Sequence, residues 1–174
     1  MKYLSSRKNI FRIAVVLALV FLASSTFCQK SLAAENKPNT TAELSSDSFL
    51  ALINQARDRA SISSVVTSPK LQKAAQEKAD DMAKYNYIAL NSPSGKIPPD
   101  LVKEQSYTFC GLGANLAVNF KTPEDAVGAW LTDKSDRQSI LDSGFSEIGI
   151  GLAKSQDGAK NFAAVFLAMP TCLN

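Results

Sequence analysis

The chain has 174 residues, of which 45% are hydrophobic and 20% charged, so it contains enough apolar material for one domain with its own core. The formal net charge of +3 comes from the N-terminal region, because five of the 19 basic residues and none of the 16 acidic residues precede residue 35. The rest of the chain carries 14 basic and 16 acidic residues, and this slightly negative balance argues against nucleic acid as a partner.

The first 34 residues have the pattern of a secretory signal peptide. Four basic residues precede an apolar run over residues 13–23, and the small residues Ala33 and Ala34 mark the expected cleavage point. A membrane span needs roughly 20 apolar residues, so an uncleaved signal anchor is the weaker alternative. We therefore expect an exported, extracytoplasmic protein with no stable membrane span after signal removal.

Residues 35–45 are polar and without periodicity, so we expect a flexible leader to a single domain over residues 46–174. Either Ser46 or Asp47 is suited to cap the first helix of that domain. Apolar residues recur at helical spacing and predict the core face of this helix: Phe49, Leu52, Ile53 and Ala56.

A second helix is predicted to be capped by Ser68, with Pro69 in its first position. One side of it is apolar and carries Leu71, Ala74, Ala75, Ala79 and Met82. The charged residues elsewhere on the helix indicate a solvated face: Lys73, Glu77, Asp80 and Asp81. Turn-forming residues follow, and a short helix is predicted from Pro99 or Asp100.

The central part of the chain alternates strand and helix signals. Residues 115–120 predict a strand, and Thr122 forms a capping box with Asp125 that opens a helix at Pro123. The sequence KSDRQS then predicts a short helical turn with Ser135 as its cap.

Two strands near the C-terminus, FSEIGIGLA and NFAAVFLA, are predicted to form a hairpin. Asp157 and Gly158 between them supply the left-handed positions of the turn. Gly149 and Gly151 alternate with large aliphatic residues, so one face of the first strand is flat. This pattern favours a helix packed directly on the flat face over a ligand site.

Several segments resemble the bacterial branch of the CAP superfamily, the cysteine-rich secretory, antigen 5 and pathogenesis-related proteins. GANLA, TPEDAVGAWL, SDRQSIL and FSEIGIGLA are similar to that family's usual GENIA, TPEEAVDAWM, GHRANIL and FTEIGVGYA. FLALINQAR, SPKLQKAAQEKADDMAKYNYI and NSPSGK fit its other blocks in the same order, so the resemblance covers about residues 46–168. It implies an α+β fold, a three-layer α-β-α sandwich with an antiparallel sheet between helices.

The resemblance also implies a central cleft, which many members line with two histidines and one or two acids that can hold a metal. The histidine positions fall on Leu90 and Asp136, and the glutamate position falls on Ala114. The second acid of the family corresponds to Asp133. Because the chain contains no histidine, we expect no metal site of the family type and no cofactor.

The absence of histidine also excludes nucleophile systems of the Ser-His-Asp and Cys-His kind. The candidates that remain are acidic, namely Asp133, Asp136 and Glu147. A pair of carboxylates is able to act as acid and base or to bind a hard cation through oxygen. Asp136 is equally well explained as an early helix residue that the helix dipole favours.

Cys110 and Cys172 are the two cysteines that remain after signal removal. In an exported protein such a pair most often forms a disulfide, which would add roughly 4 kcal/mol for a loop of this length. The alternative, Cys110 as a nucleophile, lacks a histidine to activate it.

Two functional hypotheses follow. The first is an exported, monomeric, non-catalytic binding module whose cleft is altered by Leu90 and Ala114 and takes a small apolar ligand, a peptide or a protein partner. The second is a hydrolase of cell-wall polymers or peptides that uses Asp133 and Asp136 as its working acids.

Overall fold

The computed structural model describes residues 44–171. The predicted signal peptide with its cleavage point, the leader up to residue 43, and Cys172 lie outside the described residues and stay predictions. No helix within residues 44–171 is long and apolar enough to cross a membrane. The helices and strands of this part are, in chain order, α1 (Ser46–Arg59), β1 (Val66–Thr67), α2 (Pro69–Tyr85), α3 (Pro98–Glu104), β2 (Gly111–Val118), α4 (Pro123–Thr132), α5 (Lys134–Ile140), β3 (Glu147–Lys154) and β4 (Asn161–Met169).

The four strands form one sheet in the order β1-β3-β4-β2. β4 runs antiparallel to both β3 and β2, whereas the two-residue strand β1 runs parallel to β3. The expected α+β sandwich is confirmed, with the difference that the sheet is mixed at one edge. β1 joins the sheet because the Val66 N–H donates to the Ser146 carbonyl at 3.0 Å and the Ser68 N–H donates to the Ile148 carbonyl at 2.9 Å.

Helices cover both faces of the sheet. α1, α4 and α5 contribute to the core cluster on one face, which includes Phe49, Ile53, Trp130, Ile140, Ile148 and Val165. α2 and α3 contribute to the cluster on the other face, which includes Leu71, Ala75, Leu101 and Phe166. Successive residues of β4 enter opposite clusters, as the alternation of side chains along a strand requires.

The helices begin close to the predicted positions. α1 starts one residue earlier than expected from its cap, because the hydroxyl of Ser45 accepts the N–H of Ser48 at 3.2 Å. α3 begins at Pro98, also slightly before its predicted start. The capping box formed by Thr122 and Asp125 is confirmed at the start of α4.

The glycines of β3 allow α2 to lie directly on the strand. A Cβ added to Gly149 would be 2.1 Å from the carbonyl carbon of Leu71, and one added to Gly151 would be 2.1 Å from the carbonyl oxygen of Ala75. Backbone atoms of a packed helix cannot move aside for a methyl group. The predicted helix on the flat face is therefore confirmed.

Side chains of α2 also close the outer edge of β3. β1 pairs only with the first two residues of β3. Beyond β1, the Gln72 amide donates to the Ile150 carbonyl at 2.5 Å and accepts the Ile150 N–H at 3.0 Å. Gln76 makes the same two bonds with Leu152, at 2.8 and 3.1 Å. The two amides, four residues apart on one helix face, thus replace the strand that this edge lacks.

A buried arginine in the last turn of α1 binds the loop after α1 and the segment at the end of α5. The guanidinium of Arg57 donates to the carbonyls of Ser63, Ile140, Asp142 and Phe145, at 2.8 to 2.9 Å. Burial lowers the pKa of Arg57, and the charge of Asp142 opposes this effect. The contacts fix the C-terminal end of α5 relative to α1.

Candidate functional site

A cleft of about 470 Å³ is lined by the edge strand β2, by α4 and by the start of α5. Its apolar wall includes Ile88, Leu116, Val118, Ala126, Ala129 and Trp130. Three carboxylates also line it, those of Asp125, Asp133 and Asp136. The cleft thus brings together two of the four predicted cleft residues, Asp133 and Asp136, but Leu90 and Ala114 are not part of its lining.

Asp133 serves as the N-cap of α5. Its carboxylate accepts the N–H groups of Ser135 at 2.8 Å and of Asp136 at 3.0 Å. The prediction of Ser135 as the cap is wrong by two positions, because Asp133 has extended backbone dihedrals and Ser135 already lies inside the helix. A carboxylate at a helix N-terminus interacts favourably with the helix dipole.

Asp136 is partly buried and contacts a fully buried amide. Nδ2 of Asn115 donates at 3.0 Å to both the carboxylate and the backbone carbonyl of Asp136. Burial raises the pKa of Asp136, the charge of Asp133 raises it further, and the bond from Asn115 acts in the opposite direction. Asp136 therefore takes up a proton more readily than an ordinary aspartate.

Asp125 lies at the start of α4 in a different electrostatic environment. Its carboxylate accepts the backbone N–H of Thr122 at 2.9 Å and that of Lys121 at 3.1 Å. The hydrogen bond from Thr122 is the largest cause that lowers the pKa of Asp125. Among residues 44–171, none of the three cleft carboxylates is in an ion pair, because both salt bridges found there belong to Lys96.

The outer edge of β2 is mostly unpaired, and its C-terminal part, from Leu116 to Val118, lines this cleft. The Asn119 N–H donates to Asn161 of β4 at 2.9 Å, so the alternation of an antiparallel ladder directs the backbone groups of Leu116 and Val118 outward. The indole N–H of Trp130 donates to the Leu116 carbonyl at 2.9 Å. Within the described part of the chain, no other hydrogen bond to the outward groups of β2 is found.

A buried lysine holds the loop that carries Ile88 to the cleft. Nζ of Lys78, in α2, donates to the Tyr87 hydroxyl and the Leu90 carbonyl, both at 2.9 Å, and to the Ser92 hydroxyl at 3.4 Å. The Tyr87 hydroxyl in turn donates to Asp81. Burial lowers the pKa of Lys78, an effect that Asp81 opposes, and burial is also the main cause that raises the pKa of Tyr87 to about 12.

Comparison with known proteins places the chain in a family. Residues 50–168 match the family model described as "CAP: Cysteine-rich secretory protein family". The chain belongs to the cysteine-rich secretory protein (CAP) family. A curated relative, the uncharacterized protein YkwD of Bacillus subtilis (strain 168), is 30% identical over 139 residues, which cover 76% of this chain and 54% of YkwD. The chain thus spans about half the length of this relative.

Two solved structures have a similar fold. An extracellular protein of Bacillus anthracis that contains an SCP domain is 20% identical, with a TM-score of 0.64, over 70% of this chain and 39% of that protein. An outer surface protein of Borrelia burgdorferi is 19% identical, with a TM-score of 0.65, over 70% of this chain and 90% of that protein. At these identities the likeness concerns the fold.

The residues that the resemblance assigns to metal-ligand positions do not fit a metal ion. The side chain of Leu90 is 48% exposed, and that of Ala114 packs against the cluster formed by α2 and α3. Both are aliphatic, and the two acids already accept hydrogen bonds, Asp133 from two N–H groups of α5 and Asp136 from Asn115. Within residues 44–171, no three His, Cys, Asp or Glu side chains are grouped so that they would hold a metal.

The other candidates lie away from the cleft lining. Glu147, at the start of β3, accepts the hydroxyl of Tyr107 at 3.0 Å, and burial together with this bond raises the pKa of Tyr107. The N–H of Cys110 donates to the Met169 carbonyl at 2.8 Å. Its predicted disulfide with Cys172 stays a prediction, because Cys172 lies outside the described residues.

Sequence reasoning missed the two buried cations. Lys78 lies seven residues after Leu71, on the apolar stripe of α2, and Arg57 lies four residues after Ile53, on that of α1. A charged residue in register with an apolar stripe is the signal that would have indicated burial. The sequence predicts a solvated position for Asp81, but its carboxylate accepts the Tyr87 hydroxyl and so helps to hold the loop.

Proposed function

We propose that this CAP protein is an exported, non-catalytic binding module that holds its ligand in the cleft between β2 and α4. Export is supported by the signal-peptide pattern of residues 1–34. It is also supported by the similar proteins described as extracellular in Bacillus anthracis and as outer surface in Borrelia burgdorferi.

The hydrogen bonds that the cleft acids already accept are the main support for binding without catalysis. Asp133 and Asp136, the acids at the family positions, are both engaged: Asp133 accepts two N–H groups of α5, and Asp136 accepts the amide of Asn115. The wall beside them is apolar, with Ala129 and Trp130 among its residues. Such a site offers contact area and a few fixed polar groups, which is the usual composition of a ligand pocket.

The test uses the mature domain, with ligand binding mapped residue by residue. A library of small apolar fragments and short peptides is screened by NMR. Hits are expected to change the amide chemical shifts of Ala117, Val118 and Ala129. Ala129→Trp, which fills the cleft, should abolish these shifts, whereas Gly128→Trp, on an open part of the same helix, should leave them. Hits that map elsewhere, or stoichiometric Zn²⁺ binding in calorimetry, would contradict the proposal.

A hydrolase is the second candidate, because one observation favours it. The pKa of Asp136 is raised by burial and by the neighbouring charge of Asp133, and carboxyl groups that act as catalytic acids have their pKa raised in the same direction. The assay is hydrolysis of purified cell-wall polymer and of casein. Activity that is lost in Asp136→Asn, at an unchanged melting temperature, would establish this candidate. Absence of hydrolysis of both substrates leaves the binding module.

A further inference from the structure

We propose that the outer edge of β2 binds an extended peptide segment that carries a basic side chain. The segment adds to the sheet as a fifth strand, and its basic side chain lies beside the carboxylates of the cleft. This inference rests on the proposed binding function and states the class of partner. The partner is a peptide segment of another molecule.

The first support is the set of backbone groups that β2 directs outward. The outward groups belong to Leu112, Ala114, Leu116 and Val118. These residues alternate with those that hydrogen-bond to β4, so their N–H and C=O groups point away from the sheet. All four residues are only partly buried. In the described part of the chain, only the Leu116 carbonyl has a protein partner, the indole of Trp130.

The length of this edge suits a short peptide. A strand rises about 3.3 Å per residue, so the stretch from Leu112 to Val118 is about 20 Å long and would pair with six or seven residues. Main-chain hydrogen bonds would supply affinity for any extended segment, and side-chain pockets would supply specificity. Ile88 and Ala129 line the apolar pocket beside the Val118 end.

The carboxylates of the cleft favour a peptide with a basic side chain. Asp125, Asp133 and Asp136 line one cleft without an ion pair to any residue among 44–171. Asp136 is partly buried next to Asp133, so a cation placed between them would gain from two carboxylates at once. A lysine or arginine of the incoming strand meets this requirement, whereas an acidic side chain would be repelled.

The experiment selects linear heptapeptides from a phage-displayed random library on the mature domain and measures the affinity of synthetic copies. The expected binders carry Lys or Arg next to β-branched residues. The decisive step is to N-methylate alternate peptide residues in two separate peptides. The N–H groups of one alternating set donate to β2, whereas those of the other set point away from it. Methylation of the donating set should weaken binding by about tenfold or more, and methylation of the other set by less than about twofold.

Two protein variants give matched controls. Val118→Pro removes an outward N–H and should weaken binding by about tenfold, whereas Val118→Thr keeps the N–H and should not. If Val118→Pro fails to fold, the N-methylated peptides still decide the question on the unmodified protein. Asp136→Asn should weaken the basic peptide and leave a copy with Gln in place of its basic residue unaffected.

The contrary outcomes separate this inference from the proposed function. Peptides that Ala129→Trp displaces, but that bind equally with either set methylated, would overturn strand addition and leave the binding module. No selected peptide, or a dimer in sedimentation that Val118→Pro dissolves, would overturn the peptide partner in favour of another occupant of the edge. If Ala129→Trp affects no ligand of any kind, the binding function itself is wrong.

Discussion

The two outer edges of the sheet differ in how far their backbone N–H and C=O groups are hydrogen-bonded. At β3, the ladder is continued first by β1 and then by the amides of Gln72 and Gln76. At β2, the indole of Trp130 is the one partner found within residues 44–171. An unpaired edge invites association with other strands, so proteins usually cover it or charge it. The contrast supports the proposal that the edge of β2 pairs with a strand of a partner.

The strongest test of the closed edge is Gly149→Ala. The added methyl group would overlap the carbonyl of Leu71, so we expect a loss of about 3 kcal/mol in the free energy of unfolding, measured with urea. Gly128→Ala is the matched control, because its Cβ would meet open space and should stabilise α4 by about 0.5–1 kcal/mol. Equal effects of both variants would mean that α2 does not lie flush against β3.

Removal of one edge glutamine should have the next largest effect. Gln76→Leu leaves the N–H and carbonyl of Leu152 without their partners, which should cost about 2 kcal/mol of stability. The newly opened edge should also promote self-association in analytical ultracentrifugation. Lys73→Leu, on the exposed side of the same helix, controls for the added apolar surface. An unchanged urea midpoint for Gln76→Leu would show that this edge does not depend on the amide.

A proline at the open edge should be tolerated far better than one at the adjacent residue. Val118→Pro deletes an outward N–H that bonds no residue among 44–171, so we expect a cost below about 1 kcal/mol. Ala117→Pro deletes an N–H directed to β4 and should cost at least about 2 kcal/mol more. Thermal unfolding of both variants compares the two sides of β2 directly, and a reversed order would refute the assigned pairing.

The smallest expected effect is that of Asp136→Asn on stability. The fold raises the pKa of Asp136, so the native state binds this proton more readily than the unfolded chain does. The charged carboxylate therefore costs stability at neutral pH, and this cost disappears as the pH falls through the raised pKa toward the unfolded value. Asp136→Asn should add up to about 0.5 kcal/mol at pH 7 and nothing at pH 3, as measured by urea unfolding.

Local rules predicted most of the fold. The capping box at Thr122 and the turn at Gly158 depend on residues within a few positions of each other, and both are found. The sequence predicts β2 at residues 115–120, but the strand runs over Gly111–Val118, because its pairing with β4 extends it through Gly111 and Gly113. The local sequence does not show how far a strand is extended by pairing with a partner that lies far away in the chain.

The site was predictable only in part. The resemblance to the CAP family indicated Asp133 and Asp136, and both line the cleft. The edge amides depend on contacts between distant segments, for instance the 78 positions that separate Gln72 from Ile150. These contacts have no local signature, since each glutamine alone resembles an ordinary surface residue of a helix.

The contacts of Lys78 hold the loop after α2 partly through its main chain. The ammonium group binds the main-chain carbonyl of Leu90, an atom that every amino acid provides. The position of the loop is thus uncoupled from the identity of the side chain at residue 90. Substitutions at residue 90, whose side chain is exposed, should therefore leave the surrounding backbone in place.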